Sequence, residues 1–407
     1  MYKKRITCPE IVYLKGEEMT RYTMDLFLQK CILPHINIDK WHFYDLSCKN
    51  RDNTNDDVLI NAINKGKQIR SIFKEPTITP TEIQKKTLNL KNTLMSPNGL
   101  MRNEWNGFTI SRDTIHIDDI ELGYKNPVFF ERHAIGGEYS AGWKQVGPGI
   151  LKTVFYPNNK PDSKINIDER ILSNQNNVVV TYHNPLDNVD LLSHHFFKRC
   201  LKANITPYVV TKKTVFKWQE EFWNVIKNVF DTHYKNEFIN KDLLKDTNQE
   251  LGHLISDAAT MKIIRWTNGN FGMIAHNYDA DMLTDEMSQV HKSPGFITSN
   301  LIGTTNDGKL IKQFEASHGT GADMWECHLK NEETSLNPLG MIEALMGTIQ
   351  YSNEIYESNN ELISFQHKLR QIIHSSFKNN MGTRDICGEK GLTTESFIEH
   401  ISNELNK

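Results

Sequence analysis

Asp281 and Asp285 stand four residues apart at the start of a helical period, a spacing that puts both carboxylates on one face about one turn apart. Two like charges there repel unless a cation lies between them. An all-oxygen pair suits a hard divalent ion, Mg²⁺ or Mn²⁺, with positions left for water or substrate. An acid-rich first turn stabilised by the helix dipole accounts for the same spacing without a metal. Arg102, Arg112 and Arg132 recur beside polar or glycine-rich sequence, and Arg132 lies near the end of an apolar run, Pro127-Val-Phe-Phe-Glu-Arg-His133, that reads as a buried strand. A buried guanidinium demands an anion. Three of them, each able to hold a carboxylate through two parallel hydrogen bonds, suit a polycarboxylate or a phosphorylated ligand, although each alone serves equally in a structural ion pair. Tyr139 and Lys212 have the chemistry of a proton-transfer pair, but spacing does not bring them together.

Thr79-Pro80-Thr81-Glu82 combines a hydroxyl, a proline and a first-turn acid, so Thr77 and Thr79 are expected at a helix N-terminus, an end that attracts anions. Glu315-Ala-Ser-His-Gly-Thr-Gly-Ala-Asp323-Met324 follows a strand-like run and is rich in residues that let backbone approach a ligand closely; a tight turn explains it as well. No Gly-x-Gly-x-x-Gly opens a helix and no Walker A sequence is present, so a dinucleotide needs another cradle. His-Glu-x-x-His and Gly-x-Ser-x-Gly are absent too.

The elements that must position these residues alternate. Ile11–Leu14 and Trp41–Asp45 read as strands, and Glu17–Ile32 and a stretch from about Asn55 read as helices. Beyond Ser96 a Gly, Asn and Pro punctuated stretch leads to the Pro127–His133 strand. Two strand-like runs, Ile150–Tyr156 and Val178–Tyr182, flank an Asn- and Lys-rich connection, Asn158–Asn177, with no hydrophobic period, expected to protrude as a hairpin-like intersubunit arm. Helical periods then cover Leu191–Ala203, Phe216–Phe238 and Glu250–Trp266, with Pro207–Val210 and Phe271–Ala275 as strands and three helical stretches after Pro338. The adjacent His194 and His195 read as partly buried core or interface residues.

The chain has 407 residues, 38% hydrophobic and 24% charged, with 47 Lys+Arg against 50 Asp+Glu and a net charge of -3. These proportions exclude disorder over the whole length, and the near balance of charge argues against nucleic acid or an anionic membrane as partner. No apolar run approaches the roughly 18 residues of a membrane-spanning helix, and the N-terminal Met1-Tyr-Lys-Lys-Arg lacks a signal-peptide core. The expected location is intracellular: cytoplasmic, or mitochondrial if a presequence is missing from this sequence. The six cysteines are scattered without a Cys-x-x-Cys pair and read as reduced thiols.

Taken in order, these segments resemble the isocitrate dehydrogenase branch of the β-decarboxylating dehydrogenases over nearly the whole chain. Gly16-Glu-Glu-Met-Thr-Arg21, Asn50-Arg-Asp-Asn-Thr-Asn-Asp56 and Thr77-Ile-Thr-Pro80 resemble successive family segments, and Ser96-Pro-Asn-Gly-x-x-Arg102-Asn103 is the most specific signature. Arg112, Arg132-His-Ala134 and Tyr139 fall where the family places its other substrate arginines and its catalytic tyrosine. Thr211-Lys212-Lys-Thr214 is similar to the catalytic-lysine segment, Asn277-Tyr-Asp-Ala-Asp281 with Asp285 to the metal segment, and His318-Gly-Thr320 with Asn337-Pro338 to the adenosine pocket.

The resemblance implies an α/β isopropylmalate-dehydrogenase-like fold, not a Rossmann one. The large domain comprises 1–105 and 293–407, the small domain 106–138 and 186–292, and a clasp 139–185. It implies a homodimer with shared active sites, in which Lys212 and a third metal carboxylate serve the neighbouring subunit; Asp257 is preferred to Glu250 for that carboxylate. The implied reaction is metal-dependent oxidative decarboxylation of isocitrate. Tyr139 and Lys212 are the implied catalytic pair, and Thr79, Ser96, Asn98, Arg102, Arg112 and Arg132 hold substrate. Asp257, Asp281 and Asp285 hold Mg²⁺ or Mn²⁺, and Thr77, Thr79, Asn98, His318, Gly319, Thr320, Gly321, Ala322, Asp323, Met324 and Asn337 hold the cofactor. The chain departs from the eukaryotic-type NADP enzymes at Gln84, at Ile135, in the clasp and at Asp323-Met324. An acid at 323 suits the ribose hydroxyls of NAD and opposes a 2′-phosphate. The alternatives are NADP held through Lys262 or Arg265, a sister enzyme acting on isopropylmalate, homoisocitrate or tartrate, and an inactive homologue serving as a scaffold.

Overall fold

The computed structural model describes residues 5–160, 162–356 and 358–407. A ten-stranded sheet runs in the order Gly252–Ile255, Thr206–Thr211, Phe271–Ala275, Val128–His133, Thr109–Thr114, Ile297–Thr304, Leu310–Ala316, Ser71–Lys74, Val12–Lys15, His42–Asp45. The four middle strands pair antiparallel, and each flank continues in parallel pairs. Parallel strands need helical crossovers that cover both faces, so their sequences are apolar at consecutive positions. Phe271–Ala275 and Val128–His133 are buried at every residue, and in the second of these the polar Glu131, Arg132 and His133 are buried with the rest.

The apolar helix Leu339–Ile355 covers the Leu310–Ala316 and Ser71–Lys74 strands. Gly347 allows the close approach, since a Cβ there would lie 2.9 Å from the Phe314 ring. A helix starts beside the Thr77–Thr79 loop as expected, but its cap is Thr81 and Pro80 lies before the cap, while the punctuated stretch expected beyond Ser96 opens as a helix. Thr81 caps Glu82–Thr87 in a reciprocal capping box with Gln84, and Ser96 caps Pro97–Glu104 with proline in the first turn.

A further expectation is corrected. Glu250–Trp266 is not a single helix: Gly252–Ile255 is a strand parallel to Thr206–Thr211, and the helix is Ser256–Arg265. Leu251, Leu254, Ile255, Ala258, Ala259 and Ile263 keep a helical spacing across the Ser256-Asp257 junction, so the strand and the helix read as one period. Gly252 marks the pairing, because a Cβ there would meet the Tyr208 ring at 2.4 Å.

Residues up to Ile135 together with Leu186–Lys407 form one compact unit, and Gly136–Pro185 form another. The second unit is a pair of antiparallel ribbons. Gly142–Val146 pairs with Asn177–Thr181, and Gly149–Phe155 with Ile165–Leu172. The two strands expected here therefore do not pair with each other, and the connection between them, expected to lack a period, supplies a strand of its own. Its Ile165, Ile167 and Ile171 are all exposed, so no buried face imposes a pattern on the sequence. Pro161, in that connection, lies outside the described residues. No helix among the described residues is long and apolar enough to cross a membrane.

Candidate active site

Arg132 stands opposite Ala275 in the parallel pair of Val128–His133 and Phe271–Ala275, and the chain leaves the latter through His276 into the helix Asn277–Val290. The Arg132 guanidinium, on a residue 1% exposed, thus meets the first turns of that helix. Its Nε donates to Asn277 Oδ1 at 2.8 Å and its Nη1 to Asp281 Oδ1. Arg112, 8% exposed on the neighbouring antiparallel strand, places Nη2 3.5 Å from Asp281 Oδ1 and Nη1 4.0 Å from Asp285 Oδ1. Its Nη1 also donates to Ser317 Oγ at 2.7 Å, tying the cluster to the residue before His318. Two of the three predicted arginines and both predicted helical carboxylates are therefore one assembly.

The donor chemistry fits a divalent cation. Asp281 and Asp285 are hard oxygen donors one turn apart, and Asp285 is largely open, with a side chain 72% exposed. Mg²⁺ is commonly held by one or two carboxylates, with water and substrate oxygens completing its octahedron. Among the described residues no group of three or more His, Cys, Asp or Glu gathers as a metal cage. Asp257 is not brought to the pair within the chain; it lies in the first turn of Ser256–Arg265, bonded through Oδ2 to Lys212 Nζ. Tyr139 lies on the single turn Gly137–Ser140 of the second unit, 52% exposed.

The segments predicted for the cofactor show unsatisfied buried atoms. Thr77 Oγ1, Asn98 Oδ1 and His318 Nε2 are all buried without a hydrogen-bond partner. Such groups cost free energy unless a ligand or water completes them, so these positions fit a polar ligand. His318 Nδ1 lies 2.9 Å from Gly319 O, and burial lowers its pKa, keeping the imidazole neutral. Thr320 Oγ1 donates to Glu18, and the Thr20 amide donates to Thr320 O at 3.1 Å, which fixes the loop against the Gly16–Arg21 segment. Gly321, at φ +73°, turns the chain into the helix Ala322–Leu329, whose first turn exposes Ala322, Asp323 and Met324. Thr79 is exposed on its loop. Ser96 accepts from the Gly99 amide at 3.3 Å, and Asn98 and Arg102 follow on Pro97–Glu104 one turn apart. The Asn337 side chain is engaged in the fold: it donates to Asp385 Oδ2 at 2.9 Å and accepts from the Leu339 amide at 3.0 Å.

Sequence reasoning did not single out Asn277 and Ser317, the anchors of Arg132 and Arg112, although both lie inside segments it used. It also passed over Glu75, at the start of the Thr77 loop. Tyr13 OH and the Gly16 amide both donate to the Glu75 carboxylate at 2.7 Å, and burial raises its pKa to about 8. In the unfolded chain it titrates near 4.3, so the folded state holds a proton that the unfolded state releases between these values. Stability from this group is thus greatest below the unfolded pKa and declines as pH rises toward 8. Glu75→Gln cannot ionise and is expected to flatten that decline. In thermal melts from pH 5 to pH 8, the Tm of the variant rises relative to wild type with pH, and a constant difference counts against a neutral Glu75.

The family model described as isocitrate/isopropylmalate dehydrogenase matches residues 11–401. Over 416 residues the chain is 56% identical to a Phaeodactylum tricornutum protein named isocitrate dehydrogenase [NAD(+)] 1, mitochondrial, covering 100% of this chain and 76% of that one. Over 405 residues it is 55% identical to the isocitrate dehydrogenase (NAD(+)), mitochondrial, of Ostreococcus tauri, covering 99% and 86%. A crystal structure of isocitrate dehydrogenase from Ostreococcus tauri in complex with isocitrate and magnesium(II) superposes with a TM-score of 0.93 at 55% identity, covering 98% of this chain and 100% of that one. The ordered motifs, the arginine–carboxylate assembly and these likenesses agree: the chain belongs to the isocitrate/isopropylmalate dehydrogenase family.

Proposed function

We propose that this chain is an NAD-dependent isocitrate dehydrogenase, converting isocitrate and NAD to 2-oxoglutarate, CO₂ and NADH. The observation that carries the reading is the joining of buried Arg112 and Arg132 to Asp281 in a chain 55% identical to a protein crystallised with isocitrate and magnesium.

Arg102, Arg112 and Arg132 bind and orient the substrate carboxylates as bidentate donors. Ser96 and Asn98 recognise the distal carboxylate and the nicotinamide, and Thr79 contacts both ligands. Asp281, Asp285 and a partner's Asp257 hold Mg²⁺ or Mn²⁺, which supplies Lewis-acid polarisation of the substrate's oxygens. Thr77, Asn98, the 318–324 loop and Asn337 hold NAD, which supplies the hydride acceptor. Lys212 takes the hydroxyl proton as C2 is oxidised, and Tyr139 delivers a proton to the carbon that loses CO₂.

The large and small domains, the clasp and the homodimer belong to the same proposal. Two adjacent helices, Ser256–Arg265 and Asn277–Val290, expose Met261, Ile264, Tyr278 and Met282, each about half accessible, and the ribbons of 136–185 expose Trp143, Ile150, Ile165 and Ile171. Apolar exposure on this scale marks an interface, and a second copy is its proposed occupant. Both NAD(+) relatives are named mitochondrial, and we assign this chain to that compartment.

Two measurements test these points. Isocitrate is expected to turn over faster than isopropylmalate under the same conditions, because Ser96 and Asn98 offer polar groups where a branched alkyl chain needs apolar ones; the reverse order overturns the substrate. Mixed dimers of Lys212→Ala and Tyr139→Phe subunits are expected to regain activity, since one site then carries both lesions and the other neither. A verified heterodimer without activity contradicts a shared site.

A further inference from the structure

Gln219 is 2% exposed and opens the helix Gln219–His233 seven residues after Lys212. Its side-chain amide is used at both ends. Oε1 accepts the Lys212 backbone N–H, and Nε2 donates to Asp279 Oδ2 at 3.1 Å. Lys212 follows directly on the strand Thr206–Thr211 and has no regular element of its own to fix its direction. Asp279 lies in the first turn of Asn277–Val290, between Asn277, which binds Arg132, and Asp281, which binds Arg132 and Arg112. One buried amide therefore ties the lysine segment to the turn that carries the carboxylate.

We infer that Gln219 is a positioning residue: it fixes the backbone of Lys212 relative to the Asn277–Asp281 turn of the carboxylate helix, so that the lysine side-chain nitrogen and the metal carboxylates keep a set relation. The inference rests on the reading of Lys212 as proton acceptor and Asp281 as metal ligand. If sites are shared across a dimer, the same amide links the lysine given to the neighbour's site with the carboxylates of the chain's own site, so a shift in one is felt in the other. A hydrogen-bonding side chain is required because it must accept at one end and donate at the other, which Gln does and Met, of similar length, does not. Small misplacements of a catalytic group cost turnover more than binding.

The test compares wild type, Gln219→Met, Asp279→Ala, Asp279→Asn and Lys212→Met in steady-state NAD reduction with isocitrate and Mg²⁺. Gln219→Met and Asp279→Ala cut the same link from opposite ends, so a folding failure of one leaves the other. Each is expected to lower kcat about tenfold or more with KM for isocitrate within about twofold, the signature of an interaction expressed in the transition state. Asp279→Asn keeps an oxygen for the Gln219 amide and is expected to recover most of kcat. Near-normal kcat in Gln219→Met or in Asp279→Ala, beside an inactive Lys212→Met, overturns the positioning role alone. An inactive wild type, or an active Lys212→Met, overturns the underlying assignment of Lys212 and this inference with it.

Discussion

Asp281→Asn is expected to lose metal-dependent turnover by roughly a thousandfold or more, equivalent to about 4 kcal/mol of transition-state stabilisation. A carboxamide offers the cation a neutral oxygen in place of an anionic one. The substitution also removes the carboxylate partner of Arg132, a residue 1% exposed. Breaking a buried ion pair from one side costs about 3–5 kcal/mol, and the low end applies here because the Asp281 side chain is 29% exposed. Asp285→Asn should lose turnover as well but spare stability, since that side chain is 72% exposed and 4.0 Å from Arg112. Calorimetric melts with Mn²⁺ titrations of activity separate the two effects. Near-normal activity of either variant at low Mn²⁺ contradicts the assignment of these carboxylates to the metal.

The second large effect is on cofactor choice. Asp323, exposed in the first turn of Ala322–Leu329, is proposed to accept hydrogen bonds from the ribose hydroxyls of NAD. A 2′-phosphate would meet this carboxylate. At an effective dielectric near 20, two unit charges about 4 Å apart repel by roughly 4 kcal/mol, and half of that after screening still discriminates more than tenfold. Met324 carries no charge to offset it. Asp323→Lys combined with Met324→Tyr is expected to shift the ratio of kcat/KM for NAD over NADP by at least about tenfold toward NADP. An unchanged ratio means that the phosphate is rejected elsewhere.

The legible part of this molecule is the part where chemistry restricts residue type. The Asp281–Asp285 spacing, the arginine near the end of a buried strand and the helix start beside the Thr77–Thr79 loop each follow from a local rule, and the order of the motifs carried the family. What stayed hidden depends on contacts far apart in sequence. Ser317 receives Arg112 from 205 positions away, and Gln219 reaches Asp279 across 60; an isolated Ser or Gln announces neither. Glu75 is a charged letter in the sequence, but in the fold burial raises its pKa to about 8 against the opposing hydrogen bonds from Tyr13 and Gly16. The short strand Gly252–Ile255 was absorbed into a helical spacing that runs on across Ser256-Asp257, and Ile165–Leu172 in the ribbons went unread because no buried face imposes a pattern on it.

The central claim is tested most directly by incubating the purified chain with isocitrate, Mg²⁺ and NAD while following NADH, 2-oxoglutarate and CO₂ together. Equimolar appearance of all three, abolished by a chelator and slower with NADP than with NAD at equal concentration, is the predicted result. A folded protein that forms no NADH under these conditions, or one that forms it from isocitrate without releasing CO₂, contradicts the account.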